Sequence, residues 1–292
     1  MDLLEHLTTI RATRPAAIAE ALAGRRRRSL LSEHGTMFLI AADHPARGVV
    51  RAGGDPRAMA DRGDFLRRIV VALDRPGVDG LMASPDVIED LVLLGALDDR
   101  VVFGCMNRGG LGGAVYELDD RFTAYSAAGI EAARLDGGKM MVRLADDTAD
   151  ALDTLCACAA AIDALAERGL PAMVEVFASE LRDGRARNLD DPDSLIRAIG
   201  VVSGLGQTSA YTWLKLPVVE DMARVMASTT LPTVLLGGDP GADAEATYAR
   251  WREAMALPQV RGLVAGRTLL YPGDGDVAAA VDEAVSIVED RA

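Results

Sequence analysis

The 292 residues carry a formal net charge of −13; half are hydrophobic and only 4% are aromatic. Acidity of that size opposes general nucleic-acid binding, three cysteines are too few for a disulfide framework, and no apolar run of membrane-spanning length is free of charge. The wealth of Ala, Val, Leu and Gly suits helices packed on short aliphatic strands in one large α/β domain.

The chain opens with a helical segment, 1–36, that lacks the cationic start, apolar stretch and cleavage site of a secretory leader, so a cytoplasmic location is expected. "RRRR" at 25–28 reads as a solvated helix end rather than a nucleic-acid patch. From residue 37 one rhythm repeats: a short aliphatic run, a Gly-, Pro- or Asp-rich turn, then residues of helical period. That is the βα unit of a parallel sheet. Strands are expected at 37–43, 80–84, 101–106, 138–144, 172–177, 211–216, 233–238 and 262–266, with helices at 86–97, 148–169, 191–206 and 243–257. Eight strands without a linker predict a single (β/α)8 TIM barrel over 37–292. A doubly wound open sheet has the same rhythm, but the first strand runs into "DHPARG" and not into a GxGxxG turn.

Chemistry in such a barrel collects at the carboxyl ends of the strands. Ionisable residues interrupt the aliphatic runs at Asp43, Lys139, Arg143, Glu175 and Lys215. Buried charges must compensate one another, so these groups are expected to converge. A set of structural ion pairs filling the barrel is the plain alternative. Against it, only two of the 31 basic residues are lysines, Lys139 and Lys215. Arginine serves for pairing, but it cannot lose its proton; lysine can, and then becomes an amine nucleophile. Neutralising an ordinary lysine near pH 7 takes roughly 4 kcal/mol. A second cation about 5 Å away supplies about 3 kcal/mol at an effective dielectric of 20, and desolvation adds to it. The arithmetic does not say which of the two is the nucleophile.

The last two strands end in "LLGGDPG" and "VAGRTLLYP", which place Gly237, Gly238, Gly266 and Arg267 where backbone N–H groups and a guanidinium can gather around a phosphate. A tight strand-to-helix turn explains a lone glycine pair equally well. His44 adjoins Asp43, where a proton-shuttle or substrate contact competes with a structural role, and Asn107 and Arg108 are candidates for a second polar group on the substrate. Tyr211 and Trp213 are expected to pack between barrel and helices. The three histidines all precede residue 45 and show no metal-ligand spacing, so no metal site is expected.

With these residues in place, the chain resembles the class I, Schiff-base aldolase superfamily of the archaeal-type fructose-bisphosphate and tagatose-bisphosphate aldolases, over about 37–290. "TWLKLPV" resembles the segment that carries the Schiff-base lysine, which implies that role for Lys215. "GGKMMVRL" corresponds to the segment with a second lysine, here Lys139, "MVEVF" to that with an acid/base glutamate, here Glu175, "AADHP" to the first-strand aspartate, here Asp43, and "GGDPG" and "AGRTLLYP" to the phosphate-binding ends. "IRATRPAAI", "MNRGGLGGA" and "SAYTWLKLPVV" resemble more closely a barrel family associated with bacterial inositol catabolism. The loops at 107–113 and 178–192 have no assigned counterpart. The resemblance implies metal-independent cleavage of a phosphorylated keto sugar or keto-acid sugar to dihydroxyacetone phosphate and an aldehyde, with 5-dehydro-2-deoxygluconate 6-phosphate as the fitting substrate. It implies no cofactor beyond the covalent imine on Lys215. Net charge and the lack of a charge-free apolar run oppose nucleic-acid and membrane partners, and the apolar helix stretches "LVLLGAL" and "VAAAVDEAVSIV" suit a homo-oligomer, although packing on the barrel explains them equally. A fructose- or tagatose-bisphosphate aldolase, a non-catalytic sugar-phosphate-binding barrel and an isomerase working through Glu175 and Lys139 are the alternatives.

Overall fold

The computed structural model describes residues 2–107, 110–146, 150–241 and 243–290. Nine strands form among them: β1 (Met37–Ala42), β2 (Gly80–Ala83), β3 (Val101–Cys105), β4 (Gly137–Leu144), β5 (Ala172–Arg182), β6 (Arg185–Asn188), β7 (Thr212–Leu216), β8 (Thr233–Leu236) and β9 (Val260–Ala265). Eight are parallel and close into a barrel in the order β1-β2-β3-β4-β5-β7-β8-β9, with β9 pairing back onto β1. The fold is a TIM barrel, and each strand expected from the aliphatic runs is present.

The four expected helices form at Pro85–Leu93, Asp150–Ala166, Pro192–Ser203 and Ala244–Met255. Helices Arg62–Leu73 and Val277–Glu289 complete the larger ones outside the N-terminal segment. Aspartate sets four of the starts: the side chains of Asp61, Asp191, Asp243 and Asp276 each accept a bond from a backbone N–H in the first turn.

Strand alternation divides the apolar residues into two sets. Phe38, Ile40 and Ala42 face the surrounding helices, while Met37, Leu39 and Ala41 join Met82, Val101, Phe103, Cys105, Met173, Trp213, Val234 and Val264 inside the barrel. Trp213 therefore fills the barrel interior and does not lie between barrel and helices, because it sits two residues before Lys215 on the same face of β7. Tyr211, just before the strand, is 40% exposed.

Two further features depart from the sequence expectations. Helices Leu3–Thr13 and Ala16–Gly24 end before the four arginines, which are not a solvated helix end. Arg25 is buried, 3.3 Å from Asp136; Arg27 contacts the other oxygen of Asp136 at 2.7 Å, Arg26 meets Asp98 at 2.8 Å, and Arg28 meets Asp79 at 3.0 Å. Asp79 and Asp136 directly precede β2 and β4 and also accept the Phe38 and Val102 N–H groups, so the arginines tie the N-terminal segment to the lower rim. Nearby, Leu30 and Leu31 pack on the interior set. The second departure is at 178–192. There β5 runs on past the barrel, turns at Asp183-Gly184 with φ of 53° and 71°, and returns as antiparallel β6. Positive φ at both turn residues is the hairpin geometry that Asp-Gly favours.

Candidate active site

The inward face of the strands, followed toward their carboxyl ends, passes from apolar residues to charge. Asp43 follows β1, Lys139 is the third residue of β4, Glu175 lies within β5, and Lys215 is next to last in β7. All four are buried. Register places Glu175 directly across from Lys215. Glu175 Oε1 accepts from Lys215 Nζ, Glu175 Oε2 lies 2.5 Å from Lys139 Nζ, and Lys139 also donates to Asp43 Oδ2 at 2.9 Å. The result is an alternating chain, Asp43–Lys139–Glu175–Lys215, of two carboxylates and two amines. The sequence reading sets the two lysines against each other as neighbouring cations; in the structure the Glu175 carboxylate stands between the two buried amines.

Burial and pairing compete at each member. Burial drives the Glu175 carboxyl up, but Lys139 and then Lys215 outweigh it and hold the pKa at about 2. Burial likewise opposes ionisation of Asp43, and Lys139 reverses it, so that this carboxyl stays well below the ordinary range. Lys139 is lowered by burial and raised more strongly by Asp43 and Glu175, a net upward shift that keeps it an ammonium. His44 goes the other way: burial, with Arg267 and Lys215 adding to it and Asp43 opposing, lowers it to about 4, so the imidazole is neutral at physiological pH. Its Nδ1 is 3.8 Å from Asp43 Oδ1. Below it, the Cys105 thiol, pushed up by burial and by Asp43, lies 3.4 Å from Asp43 Oδ2 as donor.

A cavity of about 430 Å³ opens above the cluster. Lys215, Glu175 and His44 line it together with Gly237, Gly238, Gly266 and Arg267, so the two regions picked out by sequence share one space. Gly266 has no room for a side chain, since a Cβ there would lie 2.2 Å from the Ala41 carbonyl oxygen. Gly238 takes φ of 72°, which a residue with a Cβ rarely adopts. Thr268 donates to the Gly237 carbonyl at 2.9 Å and fixes this end. A second cavity of about 300 Å³ shares Glu175, His44 and Arg267 with the first and adds Lys139, Arg47, Arg143 and Asp43. Lys139 is in the second only; Lys215 is in the first only.

Not every candidate faces this space. The Asn107 side chain is used up by the β4 backbone, donating to the Met141 carbonyl at 2.6 Å and accepting from the Met141 N–H at 2.7 Å. It splices the end of β3 to β4 and is corrected from a substrate contact to a structural one. Arg143 lines the second cavity but is heavily engaged, with Nε and Nη2 on the buried Asp120 at 2.8 and 2.9 Å. Arg108 lies outside the described residues. Among the described residues no cluster of three or more His, Cys, Asp or Glu is arranged to hold a metal ion.

Sequence reasoning missed Phe177, Asn188, Arg51 and Asp239, all of which line the first cavity. Phe177 is two residues beyond Glu175 and was available from strand alternation. Asn188, on β6, was available from the Asp-Gly turn signal that sets the hairpin. Arg51 and Asp239 pair across 188 positions at 2.9 Å, and no local pattern announces that.

A sequence model of the Cgl0159-like family matches residues 35–285. The chain belongs to the Cgl0159-like family. Its structure is similar to that of Cgl0159 from Corynebacterium glutamicum (Brevibacterium flavum), with 48% identity, a TM-score of 0.97, and coverage of 100% of this chain and 98% of that one. An archaeal fructose-1,6-bisphosphate aldolase, whose catalytic Lys is covalently bound to the carbinolamine intermediate of its substrate, matches at 16% identity and a TM-score of 0.65, over 93% and 99% of the two chains. The fructose-bisphosphate aldolase of Slackia heliotrinireducens matches at 15% identity and 0.63, over 97% and 92%. At these identities the two aldolases share the barrel fold with this member of the family. No curated protein matches the chain.

Proposed function

We propose that the protein is a class I aldolase that cleaves a phosphorylated keto sugar or keto-acid sugar through an imine on Lys215. The observation that carries this reading is the placement of the Lys215 amine, in contact with Glu175, in the same cavity as the glycine-rich end with Arg267. The Schiff base formed by a fructose-1,6-bisphosphate aldolase of the same fold supports it. Lys215 is preferred over Lys139 because Lys139 is held by two carboxylates, Asp43 and Glu175, and lies outside the larger cavity.

As the amine adds to the ketone carbon, Glu175 receives the proton that Lys215 gives up. Glu175 returns that proton to the departing hydroxyl, and loss of water from the carbinolamine leaves a protonated imine, an electron sink beside the bond to be broken. Glu175 or Asp43 then takes the proton from the hydroxyl two carbons from the imine carbon. The carbon–carbon bond breaks, its electron pair forms the enamine, and the aldehyde departs. Protonation of the enamine and hydrolysis release dihydroxyacetone phosphate and restore the amine. Lys139 holds Glu175 and Asp43 ionised, while Gly237, Gly238, Gly266 and Arg267 hold the phosphate.

The finer reading takes 5-dehydro-2-deoxygluconate 6-phosphate as substrate and malonic semialdehyde as the aldehyde, which places the enzyme in inositol catabolism. The second cavity supports it: beside Glu175 it is lined by Lys139, Arg47 and Arg143, cations paired with Asp43, Glu175 and Asp120 that a substrate carboxylate would share. The test is release of dihydroxyacetone phosphate, followed with glycerol-3-phosphate dehydrogenase and NADH. Turnover of the keto acid with kcat/KM well above those for fructose and tagatose bisphosphates is expected. Faster turnover of a bisphosphate would discard the inositol assignment and keep the aldolase.

A further inference from the structure

Asp239 lies among the lining groups of the phosphate end yet carries a charge of the same sign as the proposed ligand. Its Oδ1 is 3.1 Å from Arg267 Nη1 and accepts from Gly53 N at 3.2 Å, and its Oδ2 accepts from Arg51 Nη1 at 2.9 Å. One carboxylate thus collects two guanidinium groups and a backbone N–H from two segments distant in sequence, 51–53 and Arg267, which is the donor set of an oxyanion site. The Arg267 guanidinium has capacity left over, since its Nε is buried without a protein partner.

We propose that Asp239 is a positioning residue that stands in for the substrate phosphate, and that phosphate binding displaces its carboxylate from Arg51, Arg267 and Gly53. This inference rests on the phosphate site of the proposed function but not on imine formation. An uncompensated Arg267, 14% exposed at the cavity wall, would be costly and would attract any anion; the internal carboxylate balances it and orients it together with the more exposed Arg51. An incoming ligand must outcompete a single negative charge already in place. A dianionic phosphate with three acceptor oxygens does so, and a monocarboxylate does not, which makes Asp239 a selectivity device. On displacement the phosphate takes over the fastening of a turn. Gly53 sits in the tight Ala52–Asp55 loop, closed by bonds of 3.0 and 3.1 Å, and the Asp239 contact fastens that loop to the end of β8.

The test is calorimetric titration of inorganic phosphate, without turnover, into the wild-type protein and the Asp239→Asn variant. The variant is expected to bind phosphate about tenfold more tightly, because apparent affinity scales with the fraction of sites not already occupied. It should also discriminate less against acetate, and lose less affinity than the wild type as acid removes the second charge of phosphate. Weaker binding by the variant would mean that Asp239 orients the arginines within the complex, and would overturn the proposal. Hydrogen exchange on the wild-type protein needs no variant: saturating phosphate, taking over the Gly53 N–H, should leave exchange at Gly53 as slow as in the free protein or slower, and faster exchange would mean that phosphate does not take the place of the carboxylate and would overturn the proposal. Failure of both proteins to bind phosphate would overturn the anion site together with the stand-in, whereas borohydride trapping decides separately whether Lys215 forms an imine.

Discussion

The two ends of the barrel use charge in opposite ways. At the lower rim Arg25 and Arg27 divide the oxygens of Asp136 between them, and Arg26 and Arg28 each take an aspartate of their own, so every contact ties chain to chain. At the upper end Glu175 serves two amines, Lys139 serves two carboxylates, and the cluster borders a cavity. Below, the cations are arginines, which are permanently charged; above, the only two lysines of the chain meet over one glutamate. Fixed charge suits a clamp. A proton that can move between amine and carboxylate suits catalysis.

This contrast can be broken at either end. The largest effect is expected from Lys215→Met, which should lower aldol cleavage by roughly 10⁴-fold or more while the barrel stays folded, measured by single-turnover product release and by thermal melting. Arg25→Ala should do the reverse. It leaves part of the buried Asp136 charge unpaired and is expected to cost about 3 kcal/mol of stability in a urea titration, with kcat unchanged.

The strands and the lysines were legible because their signals are local. Aliphatic runs bounded by Gly, Pro and Asp gave eight strands, and two lysines among so many arginines singled out Lys139 and Lys215. The lower-rim clamps were not legible, since Arg25 meets Asp136 across 111 positions and nothing near the "RRRR" run announces its partners. Asn107 shows the same limit. A polar residue at the end of β3 looks like a ligand group until the Met141 backbone is seen to take both its donor and its acceptor. Trp213 and the β5–β6 hairpin are different, because alternation along β7 and the Asp183-Gly184 pair carried the information.

Smaller effects sharpen the contrast through pH. The folded-state pKa of Glu175 is depressed to about 2, so its contribution to stability is complete above its ordinary value of about 4.5 and is lost as the pH falls between the two. Glu175→Gln should flatten that acid limb in pH-dependent unfolding, and should lower stability at neutral pH by leaving the Lys139 and Lys215 amines without their shared carboxylate. His44 gives the smallest change at neutral pH. Its folded pKa of about 4 is below the ordinary 6.5, so the unfolded chain takes up a proton first and stability declines as the pH falls through that interval. His44→Gln should remove this part of the slope and leave stability near pH 8 unaltered.

The most direct test of the account is reduction with sodium borohydride in the presence of dihydroxyacetone phosphate, followed by peptide mass spectrometry. With only two lysines in the chain, the site of an adduct is unambiguous. An adduct on Lys215 is predicted. An adduct on Lys139, or none under conditions where the ligand is independently shown to bind, would contradict the assignment of Lys215 as the nucleophile.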